Sequence, residues 1–274
     1  MFKIIIMALL IFIGMVGYDN ITDKAQPTTP VQQEQQKVSK HEKSAAMALF
    51  TSLLPPKEEW PSPVHKFYLA FNMDEVINPI RQNPNWTGLD AMSRDIPQAL
   101  IAIEDHAFYN HGAIAVEGIL RAALANINAG EVVQGGSTLT QQFVKNVFLS
   151  HEQSMERKIE EAMLSLMLED NYSKDEILEL YLNTTYFGAG STGIKQASRT
   201  YFGKAPSALT LAEAAVIASL PYAPTGLNPL ENPEGCKKRQ LLVLAAMHKY
   251  GMINQGQLAE AKAEKIRLTN GTVM

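Results

Sequence analysis

The sequence has a single cysteine, Cys236, among its 274 residues. It therefore cannot form an intrachain disulfide or a metal site built from several cysteines. An excess of positive charge is also missing, because the formal net charge is −4. Binding to a phosphate backbone needs a dominant basic surface, so nucleic acid is not expected as a partner. Hydrophobic residues make up 46% of the chain, which is enough for a sizeable core.

Charge is absent from residues 4–18, an apolar run between Lys3 and Asp19. This length fits a short membrane-spanning helix or the core of a signal peptide. No small-x-small cleavage pattern follows, so we predict a transmembrane signal-anchor at residues 1–18, with a cleaved signal as the alternative. Lys3 and the amino end favour a cytoplasmic N-terminus, which places the rest of the chain outside the membrane.

The remaining chain divides by composition. Residues 19–60 are predicted to be a polar linker and juxtamembrane segment, residues 61–265 the main domain, and residues 266–274 a tail. No strand series or internal repeat is visible, so the fold class is mainly α. Predicted helices cover residues 95–109, 117–128, 137–148, 155–170, 173–182, 210–221 and 232–251, and a last helix begins at Asn254. Their predicted N-caps are Ser137, Ser173, Thr210, Asn232 and Asn254.

Glu104 and Asp105 end a continuous apolar stretch, residues 99–103. Carboxylates at the end of a buried segment are costly unless they are paired or functional. Burial raises a carboxyl pKa, which suits a general base near neutral pH. The alternative interpretation, an acidic helix end in a solvated turn, is equally compatible with this motif alone.

A second polar group begins at the double glycine 135–136 and Ser137. Free backbone N–H groups at a helix start favour an anion. Thr138, Gln142 and Lys145 are spaced i, i+4, i+7 and so share one helical face. This face suits sugar and diphosphate oxygens, but an ordinary capped helix with a polar exposed side has the same pattern.

Arg157, Lys158 and Glu161 lie on the predicted helix 155–170, which also carries an apolar stripe made of Ile159, Met163, Leu166 and Met167. Arg157 and Glu161 are i, i+4 neighbours, so a surface salt bridge is the default interpretation. The functional alternative places them near leaving-group phosphates, where Arg–phosphate pairing is strong. Residues 179–188 end a further helix in Asn and aromatic residues, a composition that fits sugar binding or a packed helix end.

Taken in order, these segments resemble the five motifs of glycosyltransferase family 51, the peptidoglycan glycosyltransferases. That family includes monofunctional biosynthetic transglycosylases and the glycosyltransferase domain of class A penicillin-binding proteins. The resemblance covers roughly residues 86–265. The matching segments are Glu104-Asp105-x-x-Phe108-x-x-His111, Gly135-Gly136-Ser137-Thr138-x-Thr140-Gln141-Gln142-x-x-Lys145-Asn146, Arg157-Lys158-x-x-Glu161, Lys174-x-Glu176-Ile177-Leu178-Glu179-x-Tyr181-x-Asn183-x-x-Tyr186-x-Gly188 and Lys238-Arg239-x-x-x-Val243-Leu244-x-x-Met247.

The resemblance implies a lysozyme-like, two-lobed helical domain that polymerises lipid II by inverting β-1,4 glycosyl transfer, with undecaprenyl diphosphate as the leaving group. It implies that Glu104 takes the proton from the acceptor hydroxyl. Glu161 would assist at the donor diphosphate, whose charge Lys145 and Arg157 would stabilise. The other matched positions would bind or brace the substrate: Asp105, Phe108, His111, Ser137, Thr138, Gln142, Asn146, Lys158, Tyr181 and Asn183.

The resemblance also implies the partners, which are lipid II, the growing glycan strand and, as further candidates, cell-wall synthesis proteins. It implies no obligatory cofactor and no metal-ligand set in the protein, with a divalent cation (Mg or Mn) as an option at the diphosphate. Together with the predicted anchor, it implies a single-pass protein of the bacterial cytoplasmic (inner) membrane whose catalytic domain lies on the outer face.

Ala113 and Ala115 depart from the family pattern, in which the first motif usually continues His-x-Gly-x-Asp. We expect Gly112 to supply the turn one place early. The missing Asp removes a structural or capping carboxylate, which affects the loop geometry more than the reaction because Glu104 and Glu161 remain.

Two other functions are compatible with parts of the pattern. A lysozyme-like glycan-cleaving enzyme would also use cleft carboxylates, but its sugar leaving group does not need the cations at Lys145, Arg157 and Lys158. An inactive scaffold for wall synthesis would not need the intact carboxylates Glu104 and Glu161.

Overall fold

The computed structural model describes residues 68–69, 72–119, 127, 135–150 and 154–274. All of these residues belong to one compact unit, Lys66–Met274. The predicted anchor at 1–18, the predicted linker at 19–60 and most of the predicted helix 117–128 lie outside the described residues. Within the described ranges, no helix has both the length and the apolar character needed to cross a membrane.

The described residues are mainly helical, which confirms the predicted fold class. The nine α-helices with assigned bounds in these residues are α1 (Asp74–Arg81), α2 (Asp95–Glu104), α3 (Leu139–Phe148), α4 (Met155–Asn171), α5 (Lys174–Thr184), α6 (Ile194–Phe202), α7 (Leu211–Ser219), α8 (Pro233–Lys249) and α9 (Gln255–Ala263). Short 3₁₀ turns lie at Leu89–Ala91, Phe108–Asn110, Pro206–Ala208 and Leu220–Tyr222. In the same residues, β-type pairing is limited to two isolated bridges, Tyr186 to Thr192 and Arg267 to Val273.

Helix α7 is at the centre of one packing group. It is apolar around nearly its whole circumference, and residues 212–219 are all buried. A helix of this kind is enclosed by its neighbours, and here α2 and α8 pack both on α7 and on each other. Leu100, Val216 and Leu244 are among the enclosed side chains of these three helices. Burial of each such side chain contributes about 1.5–3 kcal/mol.

Helix α3 is at the centre of a second packing group, because it packs against both α4 and α5, and α1 contacts α5. The buried side of α4 differs from the predicted stripe. Of the stripe, Ile159 and Leu166 are 57% and 37% exposed, whereas Met167 is buried together with Glu161, Leu164 and Leu168. The buried face of α4 therefore contains one carboxylate among apolar side chains, and only part of the predicted stripe.

Most predicted helix starts are confirmed by side-chain caps. The capping boxes of Ser173 with Glu176 and of Thr210 with Glu213 are both formed. The caps at Asn232 and Asn254 are confirmed as well.

The cap predicted at Ser137 is wrong by one residue. Thr138 is the N-cap of α3, and its hydroxyl accepts a hydrogen bond from the Gln141 N–H. The same hydroxyl donates to the Ala113 carbonyl at 2.7 Å. This tertiary partner favours Thr138 over its neighbour, since one hydroxyl then satisfies two backbone groups.

Helix α2 ends earlier than predicted, at Glu104 and not near Tyr109. Asp105 leaves the helix with φ −157° and ψ 69°. Its carboxylate accepts hydrogen bonds from the Leu139 N–H at 3.0 Å and from His111 Nε2 at 2.6 Å. Because these partners lie on α3 and on the following loop, the chain turns here instead of continuing the helix.

The residues predicted as a tail pack against the domain. Ile266 and Leu268 are 1% and 2% exposed. The Thr269 N–H donates to the Tyr201 carbonyl at 3.0 Å, which attaches this segment to the end of α6.

Candidate active site

Glu104 lies where the two helix groups meet. It is the last residue of α2, directly after a turn whose residues 99–102 are buried. Its Oε2 accepts a hydrogen bond of 3.1 Å from Gln142 Nε2 on α3. The Oε1 of Gln142 accepts a bond of 3.0 Å from the Tyr181 hydroxyl on α5. Three helices thus fix the orientation of one carboxylate.

Burial raises the pKa of Glu104 above its ordinary value of 4.5. The hydrogen bond from Gln142 and the positive charges of Arg239 and Lys145 oppose that increase without cancelling it. A carboxylate with a raised pKa accepts protons more readily near neutral pH than an exposed one does. The arrangement therefore suits a general base.

Asp105 and His111 close the loop that follows Glu104. The two nitrogens of His111 both face oxygen acceptors, since Nε2 lies 2.6 Å from Asp105 Oδ1 and Nδ1 lies 2.6 Å from the Gly112 carbonyl. Only the protonated imidazolium can donate at both positions. Accordingly, the hydrogen bond to Asp105 raises the pKa of His111, and burial opposes this in part.

The loop is also anchored to α5. Phe108 is fully buried, and Lys174 Nζ lies 4.5 Å from the centre of its ring. The hydroxyl of Tyr109 donates to Asp175 Oδ1 at 2.7 Å. A cation over an aromatic ring stabilises such a contact, so the loop has fixed points on both α3 and α5.

The segment from Ala113 to Ala115, which departs from the family pattern, does not use the turn that was expected at Gly112. Gly112 is not among the described glycines that adopt a positive φ. The Thr138 hydroxyl binds the Ala113 carbonyl instead. Residues 116–119 are helical, and the Ile119 N–H donates to the Ala115 carbonyl at 3.0 Å. Ala115 therefore begins this turn without a side chain that can cap it.

Glu161 forms the centre of a second polar group, on α4. It is 1% exposed. Arg157 Nη1 lies 3.3 Å from its Oε2, and Lys158 Nζ contacts its Oε1. The same ammonium donates to the Ser137 hydroxyl at 3.2 Å. A buried carboxylate thus holds two cations beside the start of α3.

The remaining predicted site residues differ in exposure and in their hydrogen-bond partners. Lys145 and Asn146 are exposed on α3. The positive charge of Lys145 lowers the pKa of Glu104. Asn183 braces the backbone, because its Nδ2 donates to the Thr87 carbonyl at 2.9 Å and its Oδ1 accepts from the Thr87 N–H at 2.9 Å. Tyr181 is buried, and its hydroxyl is linked to Glu104 by hydrogen bonds through Gln142. Substrate contacts by these side chains stay predictions.

Arg239 and Tyr222 are neighbours of the site that the residue patterns did not single out. Arg239 lies in the fifth motif, and its guanidinium is 4.1 Å from the centre of the Tyr222 ring. The positive charge of Arg239 lowers the pKa of Glu104. Only the position of Arg239 in an ordered motif could have indicated it from the sequence, and Tyr222 carries no such signal.

A resident metal is not supported by the residues around the site. No three His, Cys, Asp or Glu side chains come together as ligands in the part of the chain that the structure describes. Glu161, the candidate on the diphosphate side, is already paired with two cations. The described residues therefore do not fit a protein-held divalent cation.

The domain is mainly helical and carries a partly buried carboxylate, Glu104, whose raised pKa responds to the charges of Arg239 and Lys145. This arrangement suits acid–base chemistry. The transglycosylase family profile matches residues 73–248. A protein named as a transglycosylase in Cupriavidus necator is 41% identical over 194 residues, which cover 71% of this chain and 84% of that protein. The chain therefore belongs to the transglycosylase family, and it is a peptidoglycan glycosyltransferase.

Larger relatives contain a similar segment. Penicillin-binding protein 1A of Neisseria flavescens is 44% identical over 185 residues, or 68% of this chain and 23% of that protein. Penicillin-binding protein 2D of Bacillus subtilis is 45% identical over 181 residues, or 66% of this chain and 26% of that protein. The chain thus spans about a quarter of the length of these two relatives.

Proposed function

We propose that this glycosyltransferase polymerises lipid II into glycan strands, with Glu104 as the catalytic base. The observation that carries the proposal is the partly buried carboxylate of Glu104, oriented by Gln142 and close enough to Lys145 and Arg239 to respond to their charges. A base must be ionised before it can act, and the two cations keep the carboxylate available despite its burial.

In the proposed reaction, the 4-hydroxyl oxygen of the acceptor sugar attacks the anomeric carbon of the donor. Glu104 takes the hydroxyl proton as the new C–O bond forms. The bond from the anomeric carbon to the diphosphate oxygen breaks, and undecaprenyl diphosphate leaves with the electron pair. Because attack and departure occur on opposite faces, the product has an inverted, β-1,4 linkage.

We assign the ion-paired group around Glu161 to the binding of the leaving diphosphate. Arg157 and Lys158 are held side by side by the buried Glu161. Cations fixed in advance stabilise the charge that develops on a departing diphosphate without reorganising. Lys145 is exposed on α3 and is free to approach the same oxygens.

The proposal extends to the location of the enzyme. We assign the lysozyme-like, two-lobed arrangement to the catalytic domain, and to the whole chain a single-pass anchor in the bacterial cytoplasmic membrane, with the domain on the outer face. The apolar residues 4–18 support the anchor. The lipid carrier of the substrate requires a membrane next to the site.

The test is polymerisation of labelled lipid II by the full chain and by Glu104→Gln. The substitution removes the base but keeps a similar shape, so the rate should fall at least about 100-fold. Glu260→Gln, at an exposed position on α9, is the matched control and should polymerise normally. Thermal unfolding of all three proteins verifies that they are folded.

Two results would contradict the proposal. Normal polymerisation by Glu104→Gln would remove Glu104 from the role of base. Cleavage of preformed glycan without any polymerisation would favour the glycan-cleaving alternative, and inactivity in both assays would favour the scaffold.

A further inference from the structure

One aromatic contact links the loop after Glu104 to the end of α8. The rings of His106 and Tyr250 are stacked, with centroids 4.1 Å apart and an angle of 13° between their planes. Tyr250 directly follows α8, and Gly251 with φ +73° turns the chain away. His106 occupies an unspecified position of the first motif, and Tyr250 lies outside all five.

The location of the stack matters because Glu104 has no helical turn after it. Asp105 leaves the helix at once, and the next backbone hydrogen bond is from the Phe108 N–H to the Asp105 carbonyl at 2.9 Å. His106 lies inside this turn. The direction of the Glu104 side chain therefore depends on how firmly the turn is held.

The turn has contacts with both helix groups. Asp105 is bonded to the start of α3, and Phe108 lies under Lys174 of α5. His106 provides the contact to α8 through Tyr250. Lys249 Nζ lies 5.2 Å from the centre of the Tyr250 ring, which further favours a fixed ring position.

We propose that His106 is a positioning residue, which acts through its stack on Tyr250 to fix the backbone that carries Glu104. The inference rests on the proposed role of Glu104 as base. Catalytic groups must stay within about 0.5 Å of their productive position, so a turn held only from α3 and α5 would spend less time in the reactive geometry. The stack affects the chemical step and not the binding of lipid II.

The test compares four variants of the full chain with the wild type in lipid II polymerisation. His106→Ala and Tyr250→Leu remove the stack, whereas His106→Phe and Tyr250→Phe keep two aromatic rings. Stacked pairs stabilise by an amount equivalent to about a three- to tenfold change in an equilibrium. We expect kcat to fall by about that factor in the first two variants, with KM unchanged, and to return in the Phe variants.

The double variant His106→Ala/Tyr250→Leu measures the coupling between the two residues. It should be no slower than the worse single variant, because the stack can be lost only once. Proton NMR of the full chain labelled at histidine verifies the contact independently of activity. The His106 ring signal should be shifted by the Tyr250 ring current in the wild type and should lose that shift in Tyr250→Leu.

The outcomes distinguish this inference from the proposed function. If the wild type polymerises, Glu104→Gln does not, and His106→Ala keeps full kcat, only the positioning role is wrong. Additive losses, an increased KM alone, or no recovery in a folded His106→Phe would also overturn it. If the wild type does not polymerise lipid II, or if Glu104→Gln does, the proposed function itself is wrong.

Discussion

The hydroxyl of Tyr181 offers a sensitive test of the site, because it acts on Glu104 through an intermediate residue. It donates to Gln142 Oε1 at 3.0 Å, which turns the amide so that Nε2 donates to Glu104 at 3.1 Å. Tyr181→Phe removes one hydroxyl and leaves the ring. The amide of Gln142 is then free to rotate, and its bond to the carboxylate weakens.

Two effects of Tyr181→Phe follow. Loss of one hydrogen bond should lower the free energy of unfolding by about 1 kcal/mol, or about 2–4 °C in Tm for a domain of this size. The bond from Gln142 lowers the pKa of Glu104, which burial has raised. Weakening it must raise that pKa further. Since the base acts ionised, the acidic limb of kcat/KM should move to higher pH.

The assay is lipid II polymerisation across the acidic pH range, with thermal unfolding alongside. Tyr201→Phe is the matched control, because Tyr201 is equally buried and its hydroxyl donates to the Phe187 carbonyl at 2.8 Å. It should lose similar stability without moving the acidic limb. An unmoved limb in Tyr181→Phe, or an equal movement in both variants, would refute the reasoning.

Two further predictions concern the loop after Glu104. Asp105 raises the pKa of His111 above 6.5, so this pair stabilises the fold fully below pH 6.5 and less as pH rises through the folded-state pKa. Asp105→Asn should cost about 1.5–3 kcal/mol near pH 6 and flatten this pH dependence in urea unfolding. An unchanged slope would contradict the pairing. Ala115→Asp should add the missing cap to the turn at residues 116–119 and stabilise the fold by about 1 kcal/mol. Ala115→Asn, which caps without charge, is its control, and an unchanged Tm in both would show that no cap forms.

Local rules predicted the parts of the fold that depend on neighbouring residues. The capping boxes at Ser173 and Thr210 form as expected, because all their partners lie within one helical turn. The same rule failed at α3, where Thr138 replaces Ser137. The deciding partner there is the Ala113 carbonyl, which is distant in sequence.

The orientation of α4 shows a second limit of pattern reasoning. Hydrophobic spacing favoured a stripe that includes Ile159, which is 57% exposed. The buried face instead contains Glu161, whose charge is balanced by Arg157 and Lys158. Pattern analysis treats a carboxylate as a surface residue, so it cannot anticipate one that is buried together with its ion-pair partners.

The sequence by itself determined the helical class and the order of the motifs, because periodicity, caps and motif spacing are local properties. The resemblance of those ordered motifs to a known family singled out Glu104 as the candidate base. Only the tertiary structure decided where α2 ends, which side chains surround Glu104 and why its pKa is raised. The end of α2 depends on the contacts of Asp105 with Leu139 and His111, and burial raises the pKa of Glu104. The surroundings of Glu104 depend on Gln142, Tyr181 and Arg239, which come from three other helices. Burial and long-range contacts arise only when these helices pack together.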